Sequence, residues 1–239
     1  MQLDFIGRAL NTNDLEQLDL FSSKREPVLS NVDKFFLSIS KEEIETESIC
    51  WNGIIPQNDS ERFKRWIFSF LSVHSTWEAN VKGYEALKNW TEWFNNWDLL
   101  YFKLKDSKIG LHNERLRYIK EFSLKFWNNP SFYTKQEKES WSDYRNKLQK
   151  DILGLGFAKV SFAIEMIYVF EARVACMDTH LYQAYKLNQS KDKKLERVIE
   201  NHFVSSSILF NIPPAIARAI LWNRIQNQKN SSYWNYVFK

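Results

Sequence analysis

Cysteine, glycine and proline are scarce in this sequence, and long apolar runs are absent. Its 239 residues include two cysteines, Cys50 and Cys176, too few for a disulfide framework or for the four thiolates of an iron-sulfur cluster. Six glycines and five prolines leave most of the chain free to form helices. No stretch approaches the twenty uncharged apolar residues of a membrane span, and the first residues carry Asp and Arg where a signal peptide needs an apolar run. We therefore expect a soluble, intracellular protein with no membrane partner.

The charge and aromatic content permit a polyanionic partner without requiring one. The formal net charge is +4, a modest excess that many proteins without such a partner share. Aromatic residues make up 16% of the chain, including ten Trp, and most of them are expected in the core. With 44% apolar residues the chain can build one core, or two lobes that share helices across a cleft.

Apolar residues recur with a helical period, whereas no sustained period-two alternation is present. Behind a potential N-cap at Ser60, the apolar residues from Phe63 to Leu71 follow the i, i+3, i+4 spacing of one buried helix face. An irregular connector is predicted over residues 48–58, where Gly53 and Pro56 lie. Further helices are predicted over 75–89, 90–104, 113–127, 134–150, 160–170, 179–187, 191–203 and 213–228. The fold class predicted from this pattern is all-α.

Two of the six glycines lie close together in the segment Asp151–Lys159, DILGLGFAK, between a polar helix and a buried one. A short glycine turn lets the backbone approach a ligand closely, and the N–H groups that begin the next helix can bind a phosphate oxygen. An ordinary turn between helices is the alternative. The buried helix is followed by RVACMDTH, which brings Asp178 to the start of another helix.

The glycine turn, the apolar helix and the Asp-Thr-His sequence together resemble the signature of the helix-hairpin-helix DNA glycosylase superfamily, which includes endonuclease III and the 8-oxoguanine glycosylases. FLSVHST at residues 70–76 resembles the family's Leu-Ser-x-Gln-x-Thr segment, and IGLHN at residues 109–113 resembles its Gly-Phe-Tyr-Asn element. The resemblance covers about residues 61–187. A member with only two cysteines would lack the iron-sulfur cluster.

The resemblance implies a two-lobed helical fold with the helix-hairpin-helix motif at the cleft between the lobes. Residues 61–170 would form a helical-barrel lobe that ends in the motif, and residues 1–60 with 171–239 the second lobe. The implied partner is double-stranded DNA, bound by a monomer in the cytoplasm or nucleoid without a cofactor. A structural K⁺ or Na⁺ is implied at the hairpin, held by backbone atoms of Ile152, Leu153 and Gly156.

The resemblance also assigns catalytic roles. Asp178 takes the position of the aspartate that faces the flipped nucleotide. Lys159 precedes it by 19 positions, as in members with a lysine nucleophile, yet it lies three residues after Gly156, where those members have two. Ala158 occupies the expected position, and one residue rotates a helical side chain by about 100°. Leu153 replaces the motif's usual proline. A phosphate-contacting or solvated Lys159 is therefore the alternative.

The remaining site assignments concern DNA contacts and the base pocket. His74 corresponds to the residue that fills the gap left by the extruded base, although a histidine near a helix start can also serve as a structural hydrogen-bonding group. The residues assigned to DNA binding are His74, His112, Asn113, Gly154, Leu155, Gly156, Ala158, Thr179 and His180. Glu165, Phe162 and Trp77 are candidates for the base pocket, with Trp127 and Trp222 as further aromatic candidates.

The function implied is cleavage of the N-glycosidic bond of a damaged, mismatched or modified base flipped out of duplex DNA. Associated strand cleavage would follow if Lys159 acts as nucleophile. A non-catalytic helix-hairpin-helix DNA-binding protein of repair or replication is the first alternative, in which Asp178 only caps a helix. A helical protein-interaction module, without salt-dependent DNA affinity, is the second. Neither charge nor spacing selects the base.

Overall fold

The computed structural model describes residues 31–187 and 193–239, and these ranges are helical with no strand. The all-α prediction is confirmed for them. Residues 1–30, which belong to the predicted second lobe, and residues 188–192 lie outside the described residues.

Thirteen α-helices and two 3₁₀ helices occur in the described ranges. Residues 31–38 form α1. The other α-helices are α2 Lys41–Asn52, α3 Asp59–Leu71, α4 Trp77–Leu87, α5 Trp90–Trp93, α6 Trp97–Asp106, α7 His112–Asn128, α8 Trp141–Asp151, α9 Phe157–Ile167, α10 Thr179–Ala184, α11 Lys193–Leu209, α12 Pro214–Ile225 and α13 Asn235–Phe238. The 3₁₀ helices are Pro130–Tyr133 and Ser231–Trp234.

Side-chain caps explain where several predicted boundaries were wrong. Helix α3 begins at Asp59 because the Asn58 side chain, not Ser60, accepts the N–H of Glu61, at 3.0 Å. Helix α8 begins at Trp141 rather than near residue 134, because the Ser140 hydroxyl accepts the Asp143 N–H at 3.1 Å. The predicted connector over 48–58 is helical as far as Asn52, and the predicted helix over 90–104 is broken between α5 and α6.

Helix α3 is the centre of one part of the core. Its residues from Phe63 to Leu71 are buried apart from Lys64, and it packs against α4, α7 and α9. Phe63 stacks on Phe122 of α7 at 5.9 Å between ring centroids, with an interplanar angle of 3°. Burial of these rings is the main favourable contribution to folding here. Helix α9, which follows the glycine turn, is thereby fixed on a rigid support.

Helix α12 is the centre of a second part of the core. It begins at Pro214 and is buried along most of its length, packing against α2, α10 and α11. No single helix in the described ranges is long and apolar enough to cross a membrane; only α11 and α12 taken together pass that test, and they are bent by 103° relative to each other. Arg218 is the charged residue in the apolar first half of α12.

Candidate active site

The turn between α8 and α9 has one glycine that the fold itself requires. Gly154 has a φ of +89°, and a Cβ placed on it would lie 2.3 Å from Cδ2 of Tyr118 on α7. Any larger residue would be strained and would also displace the Tyr118 ring. Packing of α7 against the hairpin therefore sets the shape of this turn.

No contact inside the protein requires glycine at position 156, the second glycine of the turn. Gly156 is the N-cap of α9 with a φ of −81°, and a Cβ placed on it would have nothing within 4 Å. Leu153 is 48% exposed, whereas Leu155 is buried in the core. Ala158 lies half-buried in the first turn of α9. The hairpin therefore presents backbone, more than side chains, at the start of a helix, the arrangement that suits an approaching anion.

The Asp178 carboxylate has two different partners. As the N-cap of α10, it accepts the Leu181 N–H on Oδ1 at 2.9 Å. Its Oδ2 lies 3.4 Å from Nη1 of Arg218, and its side chain is 24% exposed. The carboxylate is therefore not occupied by backbone alone.

Arg218 connects this carboxylate to a deeper one. Its Nε donates to Oε2 of Glu165 at 2.7 Å, and Oε1 of Glu165 accepts the Cys176 N–H at 3.0 Å. Burial raises the pKa of the Glu165 carboxyl to about 7, with Arg218 and the Cys176 N–H acting in the opposite direction. Helices α9 and α12 thus hold the segment that leads to Asp178.

Asp178 and Lys159 line the same cavity, which has a volume of about 420 Å³. The Lys159 ammonium lies 5.5 Å from the centroid of the Phe162 ring, and the Arg218 guanidinium lies 5.3 Å from the same centroid. The Ser69 hydroxyl donates to the Lys159 carbonyl at 2.6 Å and fixes the start of α9 against α3. A volume of this size fits the ordinary range of small-molecule sites and has room for a nucleobase.

Aromatic rings form much of the cavity wall. Of the four predicted aromatic candidates, Trp77, Phe162 and Trp222 line it. Trp127 does not, because it stacks on Trp90 at 4.4 Å in a separate cluster.

Solved structures similar to this chain cover most of its length. The 8-oxoguanine DNA glycosylase of Thermotoga maritima matches with a TM-score of 0.61 and 15% identity, over 91% of this chain and 98% of its own. The 8-oxoguanine DNA glycosylase of Methanocaldococcus jannaschii matches with a TM-score of 0.65 and 18% identity, over 84% and 95%. The M. jannaschii 8-oxoguanine glycosylase/lyase bound to a 15mer DNA containing 8-oxoguanine matches with 0.66 and 18%, over 84% and 98%.

The chain has the fold of the 8-oxoguanine DNA glycosylases. The expected resemblance to the 8-oxoguanine glycosylases is thus confirmed at the level of the fold. No protein-family model and no curated protein sequence matches this chain. Within the residues that the structure describes, no three His, Cys, Asp or Glu side chains converge as metal ligands, and Cys50 and Cys176 are both free thiols.

Within this glycosylase fold, the other predicted site residues lie at different distances from the cavity. Thr179 and His180 line it. Glu165 does not line it, because its carboxylate is turned into the protein toward Arg218 and Cys176. The predicted role of Glu165 as a base contact therefore has no surface from which to act, and the residue instead supports the cavity wall from behind.

The predicted DNA-contacting turns are adjacent, although neither His74 nor His112 lines the cavity. His74 is exposed with a φ of 50°, and the His112 ring packs edge-on against Tyr101 while Asn113 is exposed. Buried Arg115 joins the two turns. It donates to the carbonyl groups of Val73 at 2.7 Å and Gly110 at 3.0 Å. The two sequence motifs are therefore parts of one surface.

The predicted cation site fits the hairpin only in part. The Gly156 carbonyl already accepts two hydrogen bonds within α9, from the N–H groups of Lys159 and Val160, each at 3.0 Å. Its lone pairs are thus used by the helix. Ile152 and Leu153 remain as predicted ligands. A shallow depression of about 440 Å³ covers this side of the hairpin, lined by residues 149–156 with Glu121 and Lys125 of α7.

Sequence reasoning missed several residues that shape the site. Arg218 was missed, although a single arginine in the apolar run PAIARAILW was a signal comparable to Glu165, the lone acidic residue of α9. Trp51 and Asn80 were also missed. Both line the cavity and are buried, and their Nε1 and Oδ1 atoms respectively have no hydrogen-bond partner. No sequence pattern distinguishes them from core residues.

Proposed function

We propose that this protein is a DNA glycosylase, which cleaves the N-glycosidic bond of a damaged, mismatched or modified base flipped out of duplex DNA. The observation that carries the proposal is the geometry of Asp178. One carboxylate oxygen is fixed by the Leu181 N–H, while the side chain remains partly exposed in a cavity that also contains Lys159. A carboxylate with only a capping role does not need such a cavity.

Asp178 stabilises the transition state electrostatically. Departure of the base builds positive charge on the sugar ring, and a fixed carboxylate close to C1′ lowers the energy of this oxocarbenium-like state. The backbone N–H at Oδ1 keeps the carboxylate oriented without reorganisation during the reaction. Water then completes the hydrolysis when no protein nucleophile takes part.

The aromatic cavity receives the extruded base. An enzyme that acts on a base within duplex DNA must unstack it and hold it between aromatic or apolar side chains. Trp77, Phe162 and Trp222 supply these surfaces. Because the chain has the fold of the 8-oxoguanine glycosylases, a duplex containing 8-oxoguanine is the first substrate to test.

The proposed DNA-binding mode uses the hairpin and the two turns joined by Arg115. Exposed backbone at Gly156 can approach one strand closely, since no neighbouring group occupies the space in front of it. We further propose the two-lobed division at residues 61–170, with residues 1–60 and 171–239 as the second lobe and the helix-hairpin-helix motif at the cleft. Support comes from the packing of α4, α7 and α9 around α3, and of α2, α10 and α11 around α12.

We propose in addition that Lys159 attacks C1′ and makes the enzyme bifunctional. Attack by the neutral amine displaces the base and gives a Schiff base after ring opening, from which strand cleavage follows by elimination. Borohydride trapping on a cleavable duplex tests this step. The expected result is a covalent adduct that Lys159→Ala does not form. Base release without any adduct would mean a monofunctional enzyme.

The function itself is tested with a panel of duplexes that contain oxidised, alkylated, mismatched and hypermodified bases, with released bases identified by mass spectrometry. We expect release of at least one base by the wild-type protein. Asp178→Asn keeps a side chain that can cap α10 but removes the charge, so release should fall by about 100- to 1000-fold. Undiminished release by Asp178→Asn would contradict the role of Asp178.

One observation favours the alternative of a non-catalytic DNA-binding protein. The hydrogen bond from Leu181 to Asp178 is the capping interaction that this alternative requires. It predicts salt-dependent duplex binding, no base release from any duplex in the panel, and equal DNA affinity for wild type and Asp178→Asn. The same panel therefore separates the two functions.

A further inference from the structure

Asp178 is the outermost member of a cluster of three charged groups. Arg218 reaches both carboxylates, with Nε 2.7 Å from Oε2 of Glu165 and Nη1 3.4 Å from Oδ2 of Asp178. The Glu165 side chain is 2% exposed and that of Arg218 is 11% exposed. The cluster therefore links α9, α12 and the residues before α10, and it opens to the cavity at the Asp178 end.

The unequal distances determine where the negative charge is available. One guanidinium faces two carboxylates, and its shorter contact is with Glu165. Above the Glu165 pKa of about 7, where that carboxyl is ionised, it offsets the charge of Arg218 inside the protein, and Asp178 retains the net negative charge of the cluster. Without Glu165, the same guanidinium would neutralise Asp178 and weaken its attraction for a cationic sugar.

Occupation of the cavity makes this arrangement important. In the free protein, water reaches Asp178, because 24% of its side chain is exposed. A nucleotide in the cavity would displace that water, and a carboxylate that loses its water needs other hydrogen-bond donors. Fixed donors at both oxygens, Leu181 N–H at Oδ1 and Arg218 at Oδ2, replace the water and hold the orientation. Long contacts of this kind often shorten in the occupied complex.

We infer that Arg218 is a positioning residue for Asp178, and that Glu165 holds Arg218 and offsets its charge. This inference rests on the proposed glycosylase function and goes beyond it, because it adds a second-helix partner on which the proposed catalytic carboxylate depends. In this role Arg218 acts through the Asp178 carboxylate. Its effect should therefore appear in the rate of the chemical step and not in DNA affinity.

The test compares two double variants, each of which removes both charged members of one buried Arg–Glu pair. Arg218→Met with Glu165→Gln removes the pair next to Asp178. Arg145→Met with Glu200→Gln removes a similar buried pair whose Glu200 accepts the Ala175 N–H at 2.9 Å but which has no contact with Asp178. For each protein, base release is measured under single-turnover conditions with excess enzyme, and duplex affinity is measured separately.

We expect the Arg218/Glu165 variant to release the base about 10- to 100-fold more slowly, with duplex affinity changed by less than about threefold, the size expected for one charge-assisted hydrogen bond. The single variant Arg218→Lys, which keeps the positive charge, should release the base faster than this double variant but more slowly than the wild type. The Arg145/Glu200 variant should keep the wild-type rate within about threefold.

Four results would count against the inference. A wild-type rate in the Arg218/Glu165 variant would overturn it while leaving the glycosylase function intact, as would an equal loss of rate in both double variants. Loss of duplex affinity in proportion to the rate would assign Arg218 to binding instead of positioning. Absence of base release by the wild-type protein from every duplex would overturn the proposed function and this inference with it.

Discussion

Two buried Arg–Glu pairs hold the segment that leads from α9 to α10, and they differ in what lies beyond them. Glu200, paired with Arg145, accepts the Ala175 N–H, and Glu165, paired with Arg218, accepts the Cys176 N–H. The Arg145 guanidinium stacks on the Phe157 ring at 3.9 Å and ends in the core. The Arg218 guanidinium instead lines the cavity and reaches a third charged group, Asp178.

The difference separates a structural pair from a functional one with the same residue types. Burying an ion pair is costly, and well-packed apolar residues often replace such a pair without loss of stability. A pair that only holds a backbone N–H is therefore of limited value beyond fixing the path of the chain. A pair that faces a cavity can in addition set the charge and orientation of a reacting group.

The largest effect on stability is expected when one partner of the structural pair is removed alone. Arg145→Met leaves the Glu200 carboxylate buried without its cation, which should lower the free energy of unfolding by about 3–5 kcal/mol. Chemical denaturation measures this. The matched double variant, Arg145→Met with Glu200→Gln, should lose clearly less free energy of unfolding than Arg145→Met alone. Equal losses in the two variants would mean that the unpaired charge is not the cause.

The two hairpin glycines extend the comparison between groups that hold the structure and groups that face a ligand. Gly154→Ala should destabilise the protein by about 1–3 kcal/mol, because its φ is +89° and the added Cβ would meet the Tyr118 ring. Thermal and chemical unfolding measure the loss. A stability equal to wild type would contradict the requirement for glycine at this position.

The pH dependence of stability should report on the buried carboxyls of Glu165 and Glu200. Burial raises the pKa of both, for Glu165 to about 7. A raised carboxyl pKa means that the folded state binds the proton more tightly than the unfolded state does. Protonation of Glu165 therefore stabilises the folded state fully below the unfolded pKa of about 4.5, and this stabilisation is lost as pH rises toward about 7. We expect a loss of about 2–3 kcal/mol across this window that Glu165→Gln reduces. Denaturation at a series of pH values checks it; an unchanged slope would contradict it.

The smallest effect on stability is expected at the second glycine. Gly156→Ala should change the free energy of unfolding by less than about 0.5 kcal/mol, since nothing lies within 4 Å of the added Cβ. Duplex affinity should nevertheless fall by about tenfold, because a methyl group would stand between the backbone and a phosphate. Wild-type affinity in this variant would place the DNA strand elsewhere.

Much of the fold followed from local sequence patterns. Helical periodicity predicted the all-α class, and Asp178 was correctly predicted at the start of a helix, because these depend on neighbours within a few residues. Helix starts such as Trp141 were missed by several residues, because Ser140 competes with other possible caps that look alike in sequence. Local patterns were sufficient for elements but not for their exact ends.

The composition of the site was less predictable, because it depends on contacts between distant residues. Arg218 lies 40 positions from Asp178 and 53 from Glu165, and periodicity carries no information at such separations. Two single charges within apolar runs, Glu165 in α9 and Arg218 in α12, were nevertheless visible. Each would be costly to bury alone, so pairing them is a physical inference that the sequence permits. No sequence pattern indicated that Asn80 and Trp51 would be buried around a cavity.

The central claim is that Asp178 acts through its charge and not only as a helix cap. Asp178→Asn and Asp178→Ser both keep a side chain that caps α10 well, and neither keeps a carboxylate. The decisive measurement is single-turnover base release by these two variants from the duplex that the wild type cleaves. The account predicts that both variants lose at least about 100-fold in rate while keeping wild-type stability and duplex affinity. Release at the wild-type rate by either variant would contradict it.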